Sequence, residues 1–275
     1  MSVLQKSIDF LIPLIKQITG PVVIGISGPQ GSGKTTVSSK LTDYVNENTD
    51  LQAITLSLDD FYLTYNDQIK LNQLCVDKYD GNKLLQGRGL PGTHDIDLLT
   101  EVLENFLKGM EFHTVGYDKS LQNGKGDRIP EAKTFNPPKV DVIFLEGWFL
   151  GFKPLVDIPK STDPIVNQHK PQHLKLVDDF LIKYQRAFGY CQYSVIIETP
   201  DIDNVFQWRL QQEHQLIRER GMGMTDNEVK LFVDRYMPVY KLYYHELCNS
   251  GLSTKGNNLV VKIDIDRSVV GAQII

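Results

Sequence analysis

Gly28-Pro29-Gln30-Gly31-Ser32-Gly33-Lys34-Thr35 is the stretch on which the reading of this chain turns. The octet fits G-x-x-x-x-G-K-[ST], and its flanks supply the context that pattern needs. Before it, Val22 to Ser27 is a short apolar run, β-branched in part and bounded by Gly20-Pro21 and Gly28, which reads as a buried strand. After it, Val37, Leu41, Tyr44 and Val45 fall at helical spacing, and Ala53 to Leu58 reads as a second strand, completing a βαβ unit. A loop between such a strand and helix can wrap an anion in backbone N–H groups. Glycines stand where a side chain would collide, and the helix beginning near Gly33 adds the positive end of its dipole. Gly28, Pro29, Gln30, Gly31, Ser32, Gly33, Lys34, Thr35 and Thr36 are therefore the candidate nucleotide site. Lys34 reaches the β- and γ-phosphates, and the Thr35 hydroxyl serves magnesium, an ion that takes few protein ligands at phosphate sites.

Acids stand where the neighbouring strands end. The second strand runs into Asp59-Asp60-Phe61-Tyr62, at the carboxyl edge where open α/β sheets bind ligands. A hydroxyl attacking a γ-phosphoryl group needs a carboxylate to orient it and take its proton. The spacing alone does not choose between Asp59 and Asp60, and either could instead cap the following turn. Val140-Asp141-Val142-Ile143-Phe144-Leu145-Glu146-Gly147 is an apolar strand closing on a carboxylate, which places Glu146 beside magnesium or its water shell.

Further runs at Tyr193 to Thr199 and Leu259 to Ile265 alternate with helical patterns at Leu174, Val177, Leu181, Tyr184 and at Val229, Phe232, Val233, Tyr236. An N-terminal amphipathic helix carries Leu4, Ile8, Leu11, Ile15 and Ile18. The expected fold is α/β: three layers, with a mostly parallel central sheet covered on both faces, in one domain spanning 1–275. About 60–138 is an insertion, rich in Gly, Asn, Asp and Lys with one clear helix near Leu98 to Leu107. The proline-bearing 153–172 is an exposed connection. Tyr236, Tyr240, Tyr243 and Tyr244 form a stripe best read as core. His169 and His173 are interrupted by Pro171, so no zinc site is assigned.

Composition narrows the class. The 275 residues hold 41% hydrophobic and 23% charged side chains, a globular balance. The net charge of −5 disfavours nucleic acid as a partner. Cys75, Cys191 and Cys248 are odd in number and widely spaced, which suits a reducing compartment. No apolar run approaches the ~18 residues of a membrane span. A cytoplasmic protein acting on a small molecule is expected, and its oligomeric state is not readable.

Several segments carry a resemblance. Ser57 to Thr64, Gly87-Arg88-Gly89-Leu90-Pro91-Gly92-Thr93-His94-Asp95, Tyr117-Asp118-Lys119-Ser120, Gly124 to Arg128, Phe144 to Trp148, Gln207 to Gln211 and Arg235 to Tyr240 resemble D-glycerate 3-kinase. That enzyme belongs with the P-loop kinases of the uridine kinase, phosphoribulokinase and pantothenate kinase group. The resemblance implies ATP and Mg2+ as cofactors and a small hydroxyl compound, D-glycerate at its 3-hydroxyl, as acceptor. It makes Asp59 the base of a D-x-F-Y-like segment and puts Lys34 and Arg209 in catalysis, the latter within a lid spanning about 203–224. It places Arg88, His94, Asp95, Tyr117, Lys119 and Arg128 on the acceptor side, where cations would meet a carboxylate. From the residues alone, Asp95 or Thr93 could equally cap the helix starting near Ile96. The alternatives are another acceptor, such as a pantothenate-like acid or a nucleoside, and a nucleotide-binding regulator without turnover. A GTPase switch is disfavoured because Asn82-Lys83-Leu84-Leu85 lacks the acid of N-K-x-D.

Overall fold

Every residue of strand β1 (Val22–Ser27) is buried. Successive side chains point to opposite faces, so both faces of the strand are covered, as an apolar run without polar alternation requires. The computed structural model describes residues 1–135, 139–155 and 157–275. Among these, β1 sits in a six-stranded sheet with β2 (Ala53–Ser57), β5 (Val142–Gly147), β6 (Cys191–Glu198), β7 (Asn258–Ile263) and β8 (Val269–Ile274), ordered β2-β5-β1-β6-β7-β8. A separate antiparallel hairpin joins β3 (Phe112–Asp118) to β4 (Asp127–Phe135). The first five strands of the large sheet are parallel and β8 turns back antiparallel at the edge.

The helices follow the strands in the order that a parallel sheet needs. Helix α1 (Val3–Ile15) packs on α2 (Lys34–Asn48), which crosses from β1 to β2. Then come α3 (Tyr65–Asp77), α4 (Ile96–Leu107), α5 (Pro164–Asn167), α6 (Pro171–Phe188), α7 (Asn204–Arg220), α8 (Asp226–Asp234) and α9 (Met237–Ser250). An aromatic cluster fills the space between the end of β5, α6 and α9. Trp148 meets Phe149, Tyr236 and Tyr240 edge-on, and Phe152 stacks on Tyr243. The tyrosine stripe is buried as expected.

Register positions the site. Ser27 pairs with Gly147 and Ser57 with Glu146, so three strands end level and deliver their following loops to one edge.

Two expectations are corrected here. The stretch 60–138, of which 136–138 lie outside the described residues, holds α3 and the β3–β4 hairpin besides α4. Helix α3 buries only Gln68, Leu71 and Cys75, so no apolar stripe announces it. It is started instead by Thr64, whose hydroxyl accepts the Asp67 N–H. The strand read as Leu259 to Ile265 ends at Ile263, where a turn feeds β8.

Candidate active site

The loop after β1 has the conformation that its glycines permit. Gly31 and Gly33 sit at φ +82° and +93°, in the left-handed region. A Cβ on Gly31 would lie 2.5 Å from the Trp208 Cβ. Gly33 is the N-cap of α2, so the helix's free N–H groups and positive dipole end face the loop's hollow. Tyr240, from the buried stripe, braces the loop by accepting the Gln30 N–H at 2.9 Å. Lys34 Nζ lies 4.0 Å from Glu146 Oε2, and the Thr35 hydroxyl donates to Glu146 Oε1 at 3.4 Å.

Glu146 is 5% exposed. Ser57 donates to its Oε1 at 2.7 Å, while Oε2 has no hydrogen-bond partner. A buried carboxylate oxygen without a donor is costly unless a cation or its water shell completes it. No group of three or more His, Cys, Asp and Glu among the described residues could cage an ion. One hydroxyl and one carboxylate with an unpartnered oxygen are a sparse, hard-oxygen donor set of the kind that suits magnesium, which brings its own waters and is shared with phosphate oxygens.

The two acids after β2 have different surroundings. Asp60 accepts the Ser57 N–H at 3.1 Å while the Ser57 hydroxyl accepts the Asp59 N–H, closing a capping box on the 58–61 turn. Burial, together with the nearby Asp59 and Glu146 charges and against the Ser57 N–H, pushes the Asp60 carboxyl up to about 6. Asp59 instead receives the Lys119 ammonium at 2.7 Å and the Tyr62 hydroxyl at 2.9 Å. Desolvation works against charge on both Asp59 and Lys119, but their mutual attraction outweighs it. The acid is held below its ordinary value and the ammonium above.

Asp59, Lys119, Arg88 and Tyr117 line one cavity of about 960 Å3 that also contains Gln30, Gly31, Gly33, Lys34, Thr35, Thr36, Glu146 and Arg209. The Arg88 guanidinium donates to the backbone carbonyls of Gly124 and Lys125 and lies 5.8 Å over the Tyr117 ring.

Three acceptor-side candidates do not reach that space. Arg128 donates to Asp95 at 2.8 Å and to the Tyr62 carbonyl at 3.1 Å, and Asp95 caps α4 by accepting the Leu98 N–H. Both are spent on holding the hairpin to the body. His94 is buried behind Tyr62, with ring centroids 4.5 Å apart and Nδ1 2.9 Å from the Tyr184 hydroxyl. Burial, against the pull of Asp59, pushes its imidazole down to about 3, so it is neutral.

Arg209, on α7, donates to Gln212 at 2.8 Å, lies 3.6 Å from Glu213 Oε2 and covers the Phe232 ring of α8 at 5.1 Å. Its Nε is buried without a partner. Arg218 is exposed and away from the cavity, and the Arg220 side chain lies outside the described residues.

Residue reasoning missed Ser57 and Arg235. Arg235, at the end of α8, donates to the carbonyls of Gly87 (2.8 Å) and Arg88 (2.6 Å) and so fixes the loop that presents Arg88. Ser57 and Arg235 both stand inside segments that carry the family resemblance, but residue types alone gave neither a role.

A phosphate-wrapping loop, a buried carboxylate beside it and a second carboxylate across one cavity, all at the carboxyl edge of a parallel sheet, define a P-loop phosphotransferase. The family model "Phosphoribulokinase / Uridine kinase family" matches residues 23–159. The "Probable ATP-dependent kinase TDA10" of Saccharomyces cerevisiae is 41% identical over 98% of this chain and 95% of its own length. The chloroplastic D-glycerate 3-kinase of Arabidopsis thaliana is 40% identical over 90% of this chain, which spans 53% of that protein. The solved D-glycerate 3-kinase of Cryptococcus neoformans superposes with a TM-score of 0.87 at 32% identity, over 100% of both chains. The chain belongs to the phosphoribulokinase / uridine kinase family. No helix among the described residues is long and apolar enough to cross a membrane.

Proposed function

We propose that this chain is one catalytic domain that transfers the γ-phosphoryl group of ATP to the 3-hydroxyl of D-glycerate. The observation that carries the reading is the Asp59–Lys119 pair, 2.7 Å apart, facing the phosphate loop across one cavity. A hydroxy acid presents a hydroxyl and a carboxylate a few bonds apart. A neighbouring carboxylate and ammonium meet both ends at once.

In this mechanism Lys34 and the loop amides hold the triphosphate, and Thr35 and Glu146 would hold magnesium, which when bound would neutralise charge on the phosphates. The acceptor carboxylate takes Lys119, with Arg88 beside it. That contact loosens the hold of Lys119 on Asp59 and raises the affinity of Asp59 for a proton as the hydroxyl arrives. Asp59 orients the hydroxyl and accepts its proton, and Arg209 closes over the transferring group from the 203–224 lid. Most of the rate comes from alignment, which can contribute ~7–11 kcal/mol. The similarity to two D-glycerate 3-kinases supports the choice of acceptor. Three free cysteines support a cytoplasmic setting.

The test is ATP consumption with D-glycerate, pantothenate and uridine offered in parallel. D-Glycerate should give the highest kcat/KM. Preference for uridine or pantothenate would reject the acceptor assignment, and ATP binding without turnover of any would favour a regulator.

A further inference from the structure

The turn between β7 and β8 holds an arginine whose side chain takes no part in closing that turn. Arg267 sits at φ +65°, the left-handed position that closes a three-residue hairpin loop, so the turn itself accounts for its backbone and leaves its side chain free to reach elsewhere. The turn itself is closed without its side chain. Asp264 accepts the N–H groups of Asp266 and Ser268 through its carboxylate, and its backbone accepts the Arg267 N–H.

The Arg267 side chain reaches across the molecule to the phosphate loop. Its Nε donates to the Gly31 carbonyl at 2.7 Å, 236 residues away in sequence. Its Nη1 donates to Gln211 of α7 at 3.0 Å, and its guanidinium lies 5.3 Å over the ring of Trp208. Trp208 is fully buried, donates its indole N–H to the Ile265 carbonyl at 2.6 Å, and packs its Cβ against Gly31. Gly31 lines the cavity; Arg267 does not. The Gly31 oxygen is therefore held on the outer side of the loop. In a planar trans peptide, turning that oxygen inward would require the whole unit to rotate, and a glycine at positive φ offers little steric resistance to such a rotation. An inward carbonyl would set negative charge against the phosphates.

We infer that Arg267 is a positioning residue that clamps the Gly31 peptide in its anion-receiving orientation. The C-terminal hairpin thereby sets nucleotide affinity without touching nucleotide. The inference rests on the phosphate loop binding ATP, as proposed above.

Asn tolerates the left-handed region but cannot span to Gly31, so R267N separates turn stability from loop clamping. ADP with magnesium, measured by calorimetry, should bind R267N at least 10-fold more weakly. The melting temperature of the ligand-free variant should stay within about 2 °C of the parent or rise, and the acceptor KM should stay within two-fold. Hydrogen exchange in the ligand-free protein should rise across 28–36 and stay unchanged in β5 and β6. Parental ADP affinity in folded R267N overturns the inference. So does weakened binding with unchanged exchange at 28–36, or exchange raised throughout the sheet with a lowered melting temperature, because either assigns the effect to something other than the loop. K34A runs as a control: if it too keeps parental ADP affinity, the phosphate-loop reading itself has failed rather than the clamp.

Discussion

The two ends of the cavity are built differently. The end proposed for the nucleotide is built chiefly on main chain: nine consecutive residues, Gly28 to Thr36, with two left-handed glycines and the open end of α2. The end proposed for the acceptor is made of side chains from separate segments. Asp59 follows β2, Arg88 stands on a loop held by Arg235, and Tyr117 and Lys119 come from the end of β3 and the turn after it. Main-chain dipoles aimed by local geometry bind phosphate whatever is attached to it, whereas side chains on separate supports can change one at a time. The nucleotide end should therefore tolerate little and discriminate little, and the acceptor end should set which hydroxyl is phosphorylated.

The largest effect should come from the residue that joins the two ends. D59N keeps the shape of the carboxylate but cannot take a proton, so kcat should fall by at least ~10²-fold while ATP affinity stays within a few-fold. Single-turnover kinetics separate the two. A large loss in D60N with D59N still active would reverse the assignment and make the capping acid the chemical one.

The next effect belongs to the nucleotide end alone. Saturation with ATP and magnesium at ~100 times the dissociation constant should add ~2.7 kcal/mol to the folded state, read as a thermal shift. K34A should remove that shift. Because Lys34 is mostly buried beside the buried Glu146, the free variant should also melt lower than the free parent, so the shift is read against each protein's own ligand-free melt. An undiminished shift in K34A would mean that the loop is not where the phosphates sit.

At the acceptor end, K119M and R128M should part company. K119M removes binding to the acceptor carboxylate and should raise the acceptor KM by ~10-fold or more with ATP's KM little changed. It also removes the strongest attraction holding Asp59 below its ordinary range, so the acidic limb of the pH–rate profile should move to higher pH. R128M should leave both KM values within ~3-fold and lower stability by about 1 kcal/mol, because the Arg128 guanidinium serves Asp95 and the Tyr62 carbonyl. Equal effects on the acceptor KM would dissolve the distinction between residues that line the cavity and residues that brace it.

The same difference in construction explains what could be read from the chain. A loop whose function is its own backbone shape leaves its record in consecutive residues, so the octet and its flanking strand and helix were legible, as were the parallel sheet and the acids at its edge. The acceptor end was legible only as residue types. Arg88, Lys119 and Arg128 look alike in sequence, and only the hairpin's packing decides which two face the cavity and which is turned back to Asp95. His94 and Asp95 stand beside residues that matter but point into the support behind Tyr62 and into the α4 cap. Helix α3 was illegible because its buried face is Gln68, Leu71 and Cys75, two of them weak as apolar signals. Arg267 left no signal, since its partner stands 236 residues away.

Asp60 gives the smallest effect and a signed one. Its carboxyl is raised to about 6 in the folded protein, against about 4 in an unfolded chain. Below about pH 4 both states carry the proton and the residue contributes nothing to the pH dependence. Between about 4 and 6 the unfolded chain has lost its proton while the folded one retains it, so stability falls as pH rises. Above about 6 the buried charge beside Asp59 and Glu146 carries its full penalty, at most ~3 kcal/mol before solvent screening, the Ser57 N–H being already counted in the shift. In D60N the amide oxygen can still accept the Ser57 N–H, so the capping box survives while the charge is gone. Melts in EDTA without nucleotide should therefore show D60N more stable than the parent by about 1–2 kcal/mol at pH 8, with the gap closing toward pH 4. A gap that is independent of pH would show that Asp60 titrates as an ordinary surface acid.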